Sequence, residues 1–545
     1  MKQTLKRISL SIAIVMIFSL LAACNGSGSE QDETTLNDVE ETTLNDVEET
    51  TANDVEETTV NDAEDETTVG GNLSGGEETT IIEIDLNGGT TAVDEEHTET
   101  DGDETTVGEF IPGVDTDNYD SNFYLSILND SNPVNYYWIE ENDNSVLSNA
   151  LYERQQKIKE QLGIDVFAFN AGYSDNYTED FKTSVAGKLG SIDTLLTHTS
   201  LGISDLVSGG FLAPLNNVPG LNLDADYWNQ SLMDSLKIND LYLLGFSDFN
   251  IPNTYVITFN PALMAEYSSS LDKSLYQMVD DYEWTLQQFA DVAKLGYVNN
   301  GSVDSNQYGL TGLQWVPWCG FLEASGVNLI EMNNEGEYEI SFMSDAYIDK
   351  TKNIVSLLTE LASAESTCLD YMQTINPTVP YFTGRALMTL TSTYDISSYL
   401  NYDIDFGVLP YPVFDSNQKE YRSLQWGGYI VLPAYMENAE MVGKTLDLLA
   451  FYSEDVKNAF YQTAFGVKLE EKADDVRMMD IVWDSVCSDF AIPFDDVSGS
   501  ITYMLPTVTS SGGDGLQSLS EFAYARIRSG NAALKKFFQR VDKKY

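Results

Sequence analysis

Apart from carboxylates, few side chains in this sequence could carry out acid–base, nucleophilic or metal chemistry. Its 545 residues include two His and four Cys, which leaves little material for His-based catalysis or His/Cys metal sites. It has no Gly-x-Ser-x-Gly nucleophile elbow and no Gly-x-x-x-x-Gly-Lys phosphate loop. A glycosidase pair of carboxylates stays open, because 87 acidic residues always offer some pair. We expect no enzyme activity, no cofactor and no metal.

Aromatic and polar side chains beside predicted strands are better candidates for a binding site. Trp315 and Trp318 follow a predicted strand over residues 308–313, and His198 and Thr199 follow an earlier one. Aromatic rings pack on apolar ligand faces, while hydroxyl and imidazole groups hydrogen-bond a ligand's polar edge. His198, as a lone histidine, is expected to be structural or a hydrogen-bond donor rather than a catalytic base.

Strands and helices alternate in the region that must position these side chains. Periodicity predicts strands over 135–139, 164–169 and 192–196 and helices over 146–162 and 180–189. This β-α-β-α-β order predicts an α/β protein with a parallel, doubly wound sheet. Ligands of such sheets lie at the carboxyl ends of the strands.

The charge balance disfavours several classes of partner. The chain carries 28 Lys and Arg against 87 Asp and Glu, a formal net charge of −59. Residues 115–545 alone carry −34. Phosphate recognition needs clustered basic residues, so we expect no nucleic-acid partner. The same balance disfavours a polybasic grip on anionic lipid.

Residues 1–23 are typical of a bacterial lipoprotein signal peptide. Lys2 and Arg7 belong to a basic start, and an apolar stretch over 8–23 runs up to Cys24. An ordinary signal peptide with a chance cysteine is the alternative. We expect Cys24 to be lipidated and the protein to be held on the outer face of the cytoplasmic membrane, on a Gram-positive cell surface.

Residues 24–115 form an acidic segment with an eight-residue repeat of the type ETTLNDVE. Between residues 30 and 114 it has 28 Asp and Glu and no Lys or Arg. Low hydrophobicity with charge of one sign predicts a disordered, self-repelling tether. A binding strip for cations or cationic peptides is the alternative.

The order of several segments in residues 115–545 resembles family 1 extracellular solute-binding proteins, the maltose-binding-protein-like sugar receptors of ABC importers. The segments that carry this resemblance are Ile192–Leu196, Gly210–Leu215, Asp240–Gly245, Tyr255–Asn260, Tyr282–Leu286, Phe382–Met388 and Phe406–Pro412. Pro261 and Glu283 depart from the family pattern. No single motif is decisive, but the order and spacing together are specific.

The resemblance implies two α/β lobes with a ligand cleft between them, the type II periplasmic-binding-protein-like fold. Lobe one would comprise about 116–253 and 430–470, and lobe two about 256–425 and 475–545. The chain would cross between the lobes near residues 253–255, 425–428 and 468.

The resemblance also implies which residues meet a sugar. Trp318 is the strongest stacking candidate, followed by Tyr394, Trp426 and Trp315. Hydrogen-bonding candidates are His198, Thr199, Asp248, Asn253 and Asp395. Trp138 is a weaker candidate, whereas Trp284, Trp228 and Trp483 are expected to be packing residues. The loop 299–306 is expected to be a polar turn, with Ca²⁺ binding as the alternative, and a Cys319–Cys368 disulfide stays open.

By the same resemblance, the chain is expected to be a monomeric receptor that binds a carbohydrate, an oligosaccharide, and delivers it to ABC permease subunits. A receptor for a non-sugar solute such as a peptide is one alternative. A surface adhesin that kept the fold without transport is the other.

Removal of residues 25–114 should leave the melting temperature and the ligand affinity of the remaining chain nearly unchanged. A disordered acidic segment contributes no core contacts. Thermal melts and titrations of the shortened and full chains test this, and a drop of several degrees would show that the segment packs on the body.

Overall fold

The computed structural model describes residues 118–128, 133–171, 177–370, 377–402, 404–466, 469–510 and 513–545. All of these belong to one compact unit, Asp103–Tyr545. The predicted signal peptide, Cys24 and the acidic repeats lie outside the described residues. Across those described, we find no helix with both the length and the apolar content needed to cross a bilayer.

Strands and helices alternate along the described chain. The strands are β1 Ser121–Ile127, β2 Ile164–Asn170, β3 Thr194–Leu196, β4 Leu212–Ala213, β5 Tyr255–Phe259, β6 Tyr308–Leu313, β7 Ile330–Met332, β8 Tyr338–Ile340, β9 Thr367–Asp370, β10 Ala386–Ser392, β11 Gly407–Leu409, β12 Ser423–Leu424, β13 Ile430–Pro433 and β14 Val486–Cys487. The helices are α1 Val146–Leu162, α2 Tyr177–Gly187, α3 Ile203–Gly209, α4 Gln230–Ser235, α5 Pro261–Glu266, α6 Leu275–Asp280, α7 Leu286–Lys294, α8 Val316–Ala324, α9 Ile348–Ala362, α10 Val379–Phe382, α11 Ala439–Phe451, α12 Glu454–Phe465, α13 Ala473–Asp484, α14 Asp495–Ser498, α15 Met504–Thr509 and α16 Gly515–Val541.

The first sheet has five strands in the order β2-β1-β3-β13-β4. β1 runs parallel to both β2 and β3, whereas β13 is antiparallel to β3 and β4. The parallel β-α-β-α-β unit is therefore confirmed. The helix α1 begins and ends as predicted, because Ser145 accepts a hydrogen bond from the Ser148 N–H and Gly163 takes a left-handed φ of 65°.

The second sheet also has five strands, in the order β11-β5-β10-β6-β9. β6 is parallel to β10 and β9, while β5 is antiparallel to β10 and β11. The α/β class is thus confirmed, with two sheets that share no strand. The chain passes from the first sheet to the second between β4 and β5, and returns between β11 and β13. The lobe boundaries stay a prediction, since the described residues form one compact unit.

The predicted strand over 135–139 is wrong. Residues 134–136 form a short 3-10 helix, and the Tyr137 carbonyl accepts from the buried Arg154 guanidinium at 2.6 Å instead of joining a ladder. The segment Asp240–Gly245, one of those that carry the resemblance, makes only isolated bridges, such as Gly245 with Ile430. The first strand of the unit is instead β1, where Phe123, Leu125 and Ile127 alternate as buried residues.

Trp284 shows how the second sheet is covered. Its side chain has no solvent exposure, and its indole N–H donates to the Pro410 carbonyl at 3.0 Å. It packs edge-to-face on Phe289 of α7, with ring centroids 6.1 Å apart. Its predicted core role is confirmed, as are those of Trp228 and Trp483, which are 2% and 9% exposed.

Trp284→Ala should destabilise the protein by about 3–5 kcal/mol, because it empties a core aromatic site and leaves the Pro410 carbonyl without its donor. Chemical denaturation of the variant and of Trp284→Phe measures this, and Trp284→Phe should lose less. A Trp284→Ala protein as stable as the parent would contradict the core assignment.

Candidate functional site

Strand ends from both sheets converge on Trp426. Thr199, which follows β3, donates its hydroxyl to the Trp426 carbonyl. The Trp426 N–H donates to the Asn253 carbonyl at 2.7 Å, just before β5. Since β6 and β10 run parallel, their carboxyl ends bring Trp315 and Tyr394 to the same edge of the second sheet. The candidate site therefore lies where the chain crosses between the sheets.

Four half-buried rings form what we call the aromatic cluster: Trp315, Tyr503, Trp426 and Tyr255. Trp315 and Tyr503 are stacked, with ring centroids 4.7 Å apart and planes at 17°. Trp426 meets Tyr503 edge-on at 6.1 Å, and Tyr255 lies 6.5 Å from Trp426. Such rings present the apolar faces on which a flat, partly apolar ligand packs.

The structure corrects the choice of Trp318 as the main stacking residue. Its side chain is 1% exposed and packs against Phe321 in the core. Trp315 precedes the first turn of α8 and keeps a half-buried ring, whereas Trp318 lies on the helix face turned toward the core. In this conformation Trp315 takes the platform position that we expected for Trp318.

Tyr394 belongs to a second aromatic group that is tied to the first sheet. Its hydroxyl donates to the Ile251 carbonyl at 2.7 Å and lies 3.1 Å from the Tyr137 hydroxyl. Its ring meets Tyr136 edge-on at 5.2 Å. Burial raises the pKa of Tyr394 well above its ordinary value, so it remains a neutral phenol. These contacts leave the ring half-buried beside the crossing segments.

Asp395 supplies an exposed carboxylate between the two aromatic groups. It accepts a hydrogen bond from the Ser392 hydroxyl at 2.7 Å, and its charge acts on both Tyr255 and Tyr136. The surrounding protein partly desolvates this carboxylate and raises its pKa, while the bond from Ser392 opposes the rise. A carboxylate in this position can accept hydrogen bonds from ligand hydroxyls.

His198 and Thr199 are held in place by the backbone of their own loop and of Trp426. His198 Nδ1 accepts from the N–H groups of Ser200 and Leu201, both at 3.1 Å. Burial lowers the pKa of His198 to about 4, so the ring is neutral at pH 7. His198 thus orders the loop, in keeping with its predicted structural role, and Thr199 uses its hydroxyl on Trp426.

Polar atoms without partners concentrate at the crossing segments. Among the described residues, nothing bonds Asn253 Oδ1, Thr254 Oγ1 or Gln425 Oε1, although all three are buried. An unpaired buried polar atom costs roughly 1–3 kcal/mol, so water or a ligand hydroxyl is needed to satisfy these acceptors. Asn253 therefore remains a hydrogen-bonding candidate.

Asp248 is placed away from the aromatic cluster. Its charged neighbours are Lys457 on α12, Asp484 on α13 and Glu454. Burial raises the pKa of Asp248 to about 6, and the Lys457 cation opposes the rise. Trp138, the weaker candidate, donates its indole N–H to the Val166 carbonyl at 2.8 Å and is tied to β2.

Sequence reasoning missed Tyr503, Tyr255 and Asp495. Tyr255 begins a strand that the sequence predicted, so its place at a crossing was a usable signal. Tyr503 lies in a turn before α15 with no local signal, and only the fold brings it onto Trp315. Burial raises the pKa of Asp495 to about 6, and its charge helps to raise that of Tyr503.

Two further groups singled out in the sequence are accounted for locally. In the loop 299–306, Asn306 Oδ1 accepts from the Asn300 N–H at 2.8 Å, and Asn299 Oδ1 accepts from the Gly301 N–H at 2.9 Å. Cys319 and Cys368 are free thiols, so the disulfide left open is not formed.

The comparisons with known proteins give distant matches. No protein-family model and no curated protein matches the sequence. The GacH receptor of Streptomyces glaucescens, solved with acarbose, is 13% identical at a TM-score of 0.47, covering 77% of this chain and 98% of that chain. An ABC substrate-binding protein from Listeria monocytogenes in complex with cycloalternan is 12% identical at 0.45, covering 78% and 98%.

The maltose-binding periplasmic protein of Listeria monocytogenes, in complex with maltose, is 15% identical at a TM-score of 0.45. The match covers 78% of this chain and 99% of that chain. Matches at this level do not show a family.

The buried carboxylates should make the stability depend on pH near neutrality. Burial raises the pKa of Asp495 and Asp193 to about 6 and that of Asp489 to about 7. The folded state therefore binds these protons more tightly than the unfolded state, and stability falls as pH rises from about 4, near the pKa of an unfolded carboxyl, to about 7. We expect the free energy of unfolding to be higher at pH 5 than at pH 8, measured by chemical denaturation.

His198 opposes part of this gain, because its lowered pKa costs stability as pH falls from about 6.5 toward 4, but it offsets only one of the three carboxyls. Asp495→Asn should show a shallower slope between pH 6.5 and pH 4.5 than the parent. A stability that rises with pH across this interval would contradict the assignment of raised carboxylate pKa values.

Proposed function

We propose that this chain is the carbohydrate-binding receptor of an ABC importer, held by a lipid on Cys24 at the outer face of the cytoplasmic membrane. The observation that carries the proposal is the aromatic cluster, with Trp315 stacked on Tyr503 where the two sheets meet. Sugars combine apolar C–H faces with rims of hydroxyl groups, and stacked aromatic faces next to hydrogen-bonding groups suit both.

The polar groups beside the cluster support an uncharged, hydroxyl-rich ligand. Asp395 offers an exposed carboxylate, and Asn253 Oδ1 is an acceptor that no described residue satisfies. Among the residues that the structure describes, no Lys or Arg is found in the ring contacts that join the four rings. A site with several hydrogen-bond acceptors and no cation facing them favours a ligand that carries many O–H groups over an anionic solute.

The crossing segments support a closing motion as the mechanism. In the cluster, Trp426 lies on a segment that passes between the sheets, Tyr255 begins β5, Trp315 follows β6, and Tyr503 precedes α15. A ligand in contact with both sheets would favour the closed arrangement over the open one by its differential contacts alone. The permease subunits then recognise the closed form, and the receptor delivers its ligand to them.

An oligosaccharide is favoured over a single sugar because the rings extend over more than one stacking position. Centroid separations of 4.7 and 6.1 Å carry the cluster from Trp315 through Tyr503 to Trp426. Tyr136 and Tyr394 continue the aromatic lining beyond Asp395. Peptides, the competing class of ligand, would pack on the same aromatic rings. Their backbone N–H and C=O groups would also need hydrogen-bonding partners in the site.

Trp315→Ala should weaken binding by about 1–3 kcal/mol, or roughly 5- to 150-fold, the loss expected for an aromatic hot spot. The ligand is first chosen by a thermal-shift screen of α- and β-linked glucans of different lengths, with oligopeptides as the competing panel. Isothermal titration then measures the affinity. The melting temperature should change little, since Trp315 is half-buried.

Two tryptophan variants serve as controls. Trp318→Ala should lose stability, because its ring is 1% exposed, and Trp138→Ala removes a half-buried ring tied to β2 without touching the cluster. Trp138→Ala should bind as the parent does. If Trp315→Ala keeps full glycan affinity, or if only peptides raise the melting temperature, the proposed function is wrong.

A further inference from the structure

The C-terminal part of the chain reverses the charge of the rest of the body. Residues 515–545 carry seven Lys and Arg against two Asp and Glu. The preceding stretch 115–514 carries 18 Lys and Arg against 57 Asp and Glu, a net −39. The net charge of the body therefore hides a segregation of positive charge onto α16 and the turn that follows it.

Five of these seven cations lie on one side of α16 and of the turn that follows it. The side packed on the body is apolar and buried, and includes Leu519, Ala523, Leu534, Phe537 and Val541. At about 100° per residue, the opposite side presents a set of exposed cations. We call this set the basic face; it comprises Arg528, Lys535, Lys536, Arg540 and Lys543.

Most of the basic face lacks an acidic partner. Lys535 pairs with Glu337 at 2.7 Å. For Arg528, Lys536, Arg540 and Lys543, no described carboxylate lies within ion-pair distance. In a chain with so many acids, an unneutralised row of cations is unusual.

We propose that the basic face binds the anionic lipid headgroups of the membrane that carries the protein. The proposal rests on the proposed function for its lipid anchor, which keeps the body near that surface. A membrane fits the shape of the site, because the exposed side of a helix about 40 Å long is a convex ridge. A convex ridge can lie along a plane, whereas it offers no groove to a flexible polymer. Tyr524, on the same side and 92% exposed, is of the residue type enriched at membrane interfaces.

The negative charge of the rest of the body does not cancel this attraction at contact. The Debye length at physiological ionic strength is about 8 Å, so carboxylates farther from the lipid plane are screened. Each Lys or Arg at an anionic surface adds attraction over the same short range. The expectation from net charge, that the protein has no polybasic grip on lipid, averages over this segregation, and the vesicle experiment below decides between the two.

The consequence is a second contact with the membrane beside the lipid on Cys24. One acyl anchor limits distance from the membrane but not the orientation of the body, whereas a helix face of five cations limits both. The aromatic cluster is built from other elements, so sugar binding and lipid contact do not share residues.

Vesicle co-sedimentation tests this with the chain from residue 24 carrying Cys24→Ser, so that no acyl group contributes. Phosphatidylcholine vesicles with and without phosphatidylglycerol are compared at low and rising NaCl. We expect binding only to the anionic vesicles, weakened by salt. Lys536→Gln with Arg540→Gln should weaken the partition about 30-fold, from two lost cations.

The matched control is Lys352→Gln with Lys419→Gln, two exposed lysines outside α16 that make the same change in net charge. This control should bind vesicles as the parent does. Equal losses in the two double variants, or no binding to anionic vesicles by the parent, would overturn the proposal. Binding of inorganic polyphosphate through Lys536 and Arg540 without vesicle binding would overturn it too. None of these readouts involves a glycan, so they stay separate from the test of the proposed function.

Discussion

The backbone hydrogen bonds of Trp426 tie together segments from both sheets, and the candidate site depends on them. Its N–H donates to the Asn253 carbonyl, and its own carbonyl accepts from the Thr199 hydroxyl. Trp426 can therefore take its place beside Tyr503 only when the loop after β3 and the segment before β5 are both in position. A ligand platform built this way reports on the arrangement of the two sheets, which is what a receptor that closes on its ligand requires.

The same region carries incomplete hydrogen bonding. Asn253, Thr254 and Gln425 each bury an acceptor that no described residue satisfies. Such groups cost stability unless water or a ligand pairs with them, so a fold selected only for stability would not collect them at one crossing. Other buried polar atoms, such as Trp318 Nε1 and Tyr381 Oη, also have no described partner, whereas the Trp284 indole donates to the Pro410 carbonyl. Buried hydrogen-bond acceptors without partners, next to stacked aromatic rings, are consistent with recognition of a polyhydroxylated ligand.

Charges of opposite sign lie in different parts of the body. Acidic residues lie around the candidate site and over the outer surface, whereas the cations without an acidic partner lie on the solvent side of α16. Burial raises the pKa values of carboxyl groups such as Asp495 and Asp489 toward neutrality. The ionised forms of these groups therefore destabilise the folded state. The net charge does not describe this separation of charges. Because salt screens distant charges, the local arrangement of charged residues decides which partner is attracted.

The sequence by itself determined the α/β class, the bounds of α1 and the strands β2 and β6, because periodicity is a local property. It also identified Trp284 as a core residue. The strand at 135–139 failed because a tertiary contact from Arg154 took the Tyr137 carbonyl. Only the tertiary structure placed Trp318 in the core and brought Tyr503 onto Trp315. Residues almost two hundred positions apart, like these two, become neighbours through the packing of α8 against α15, and no local pattern encodes that contact.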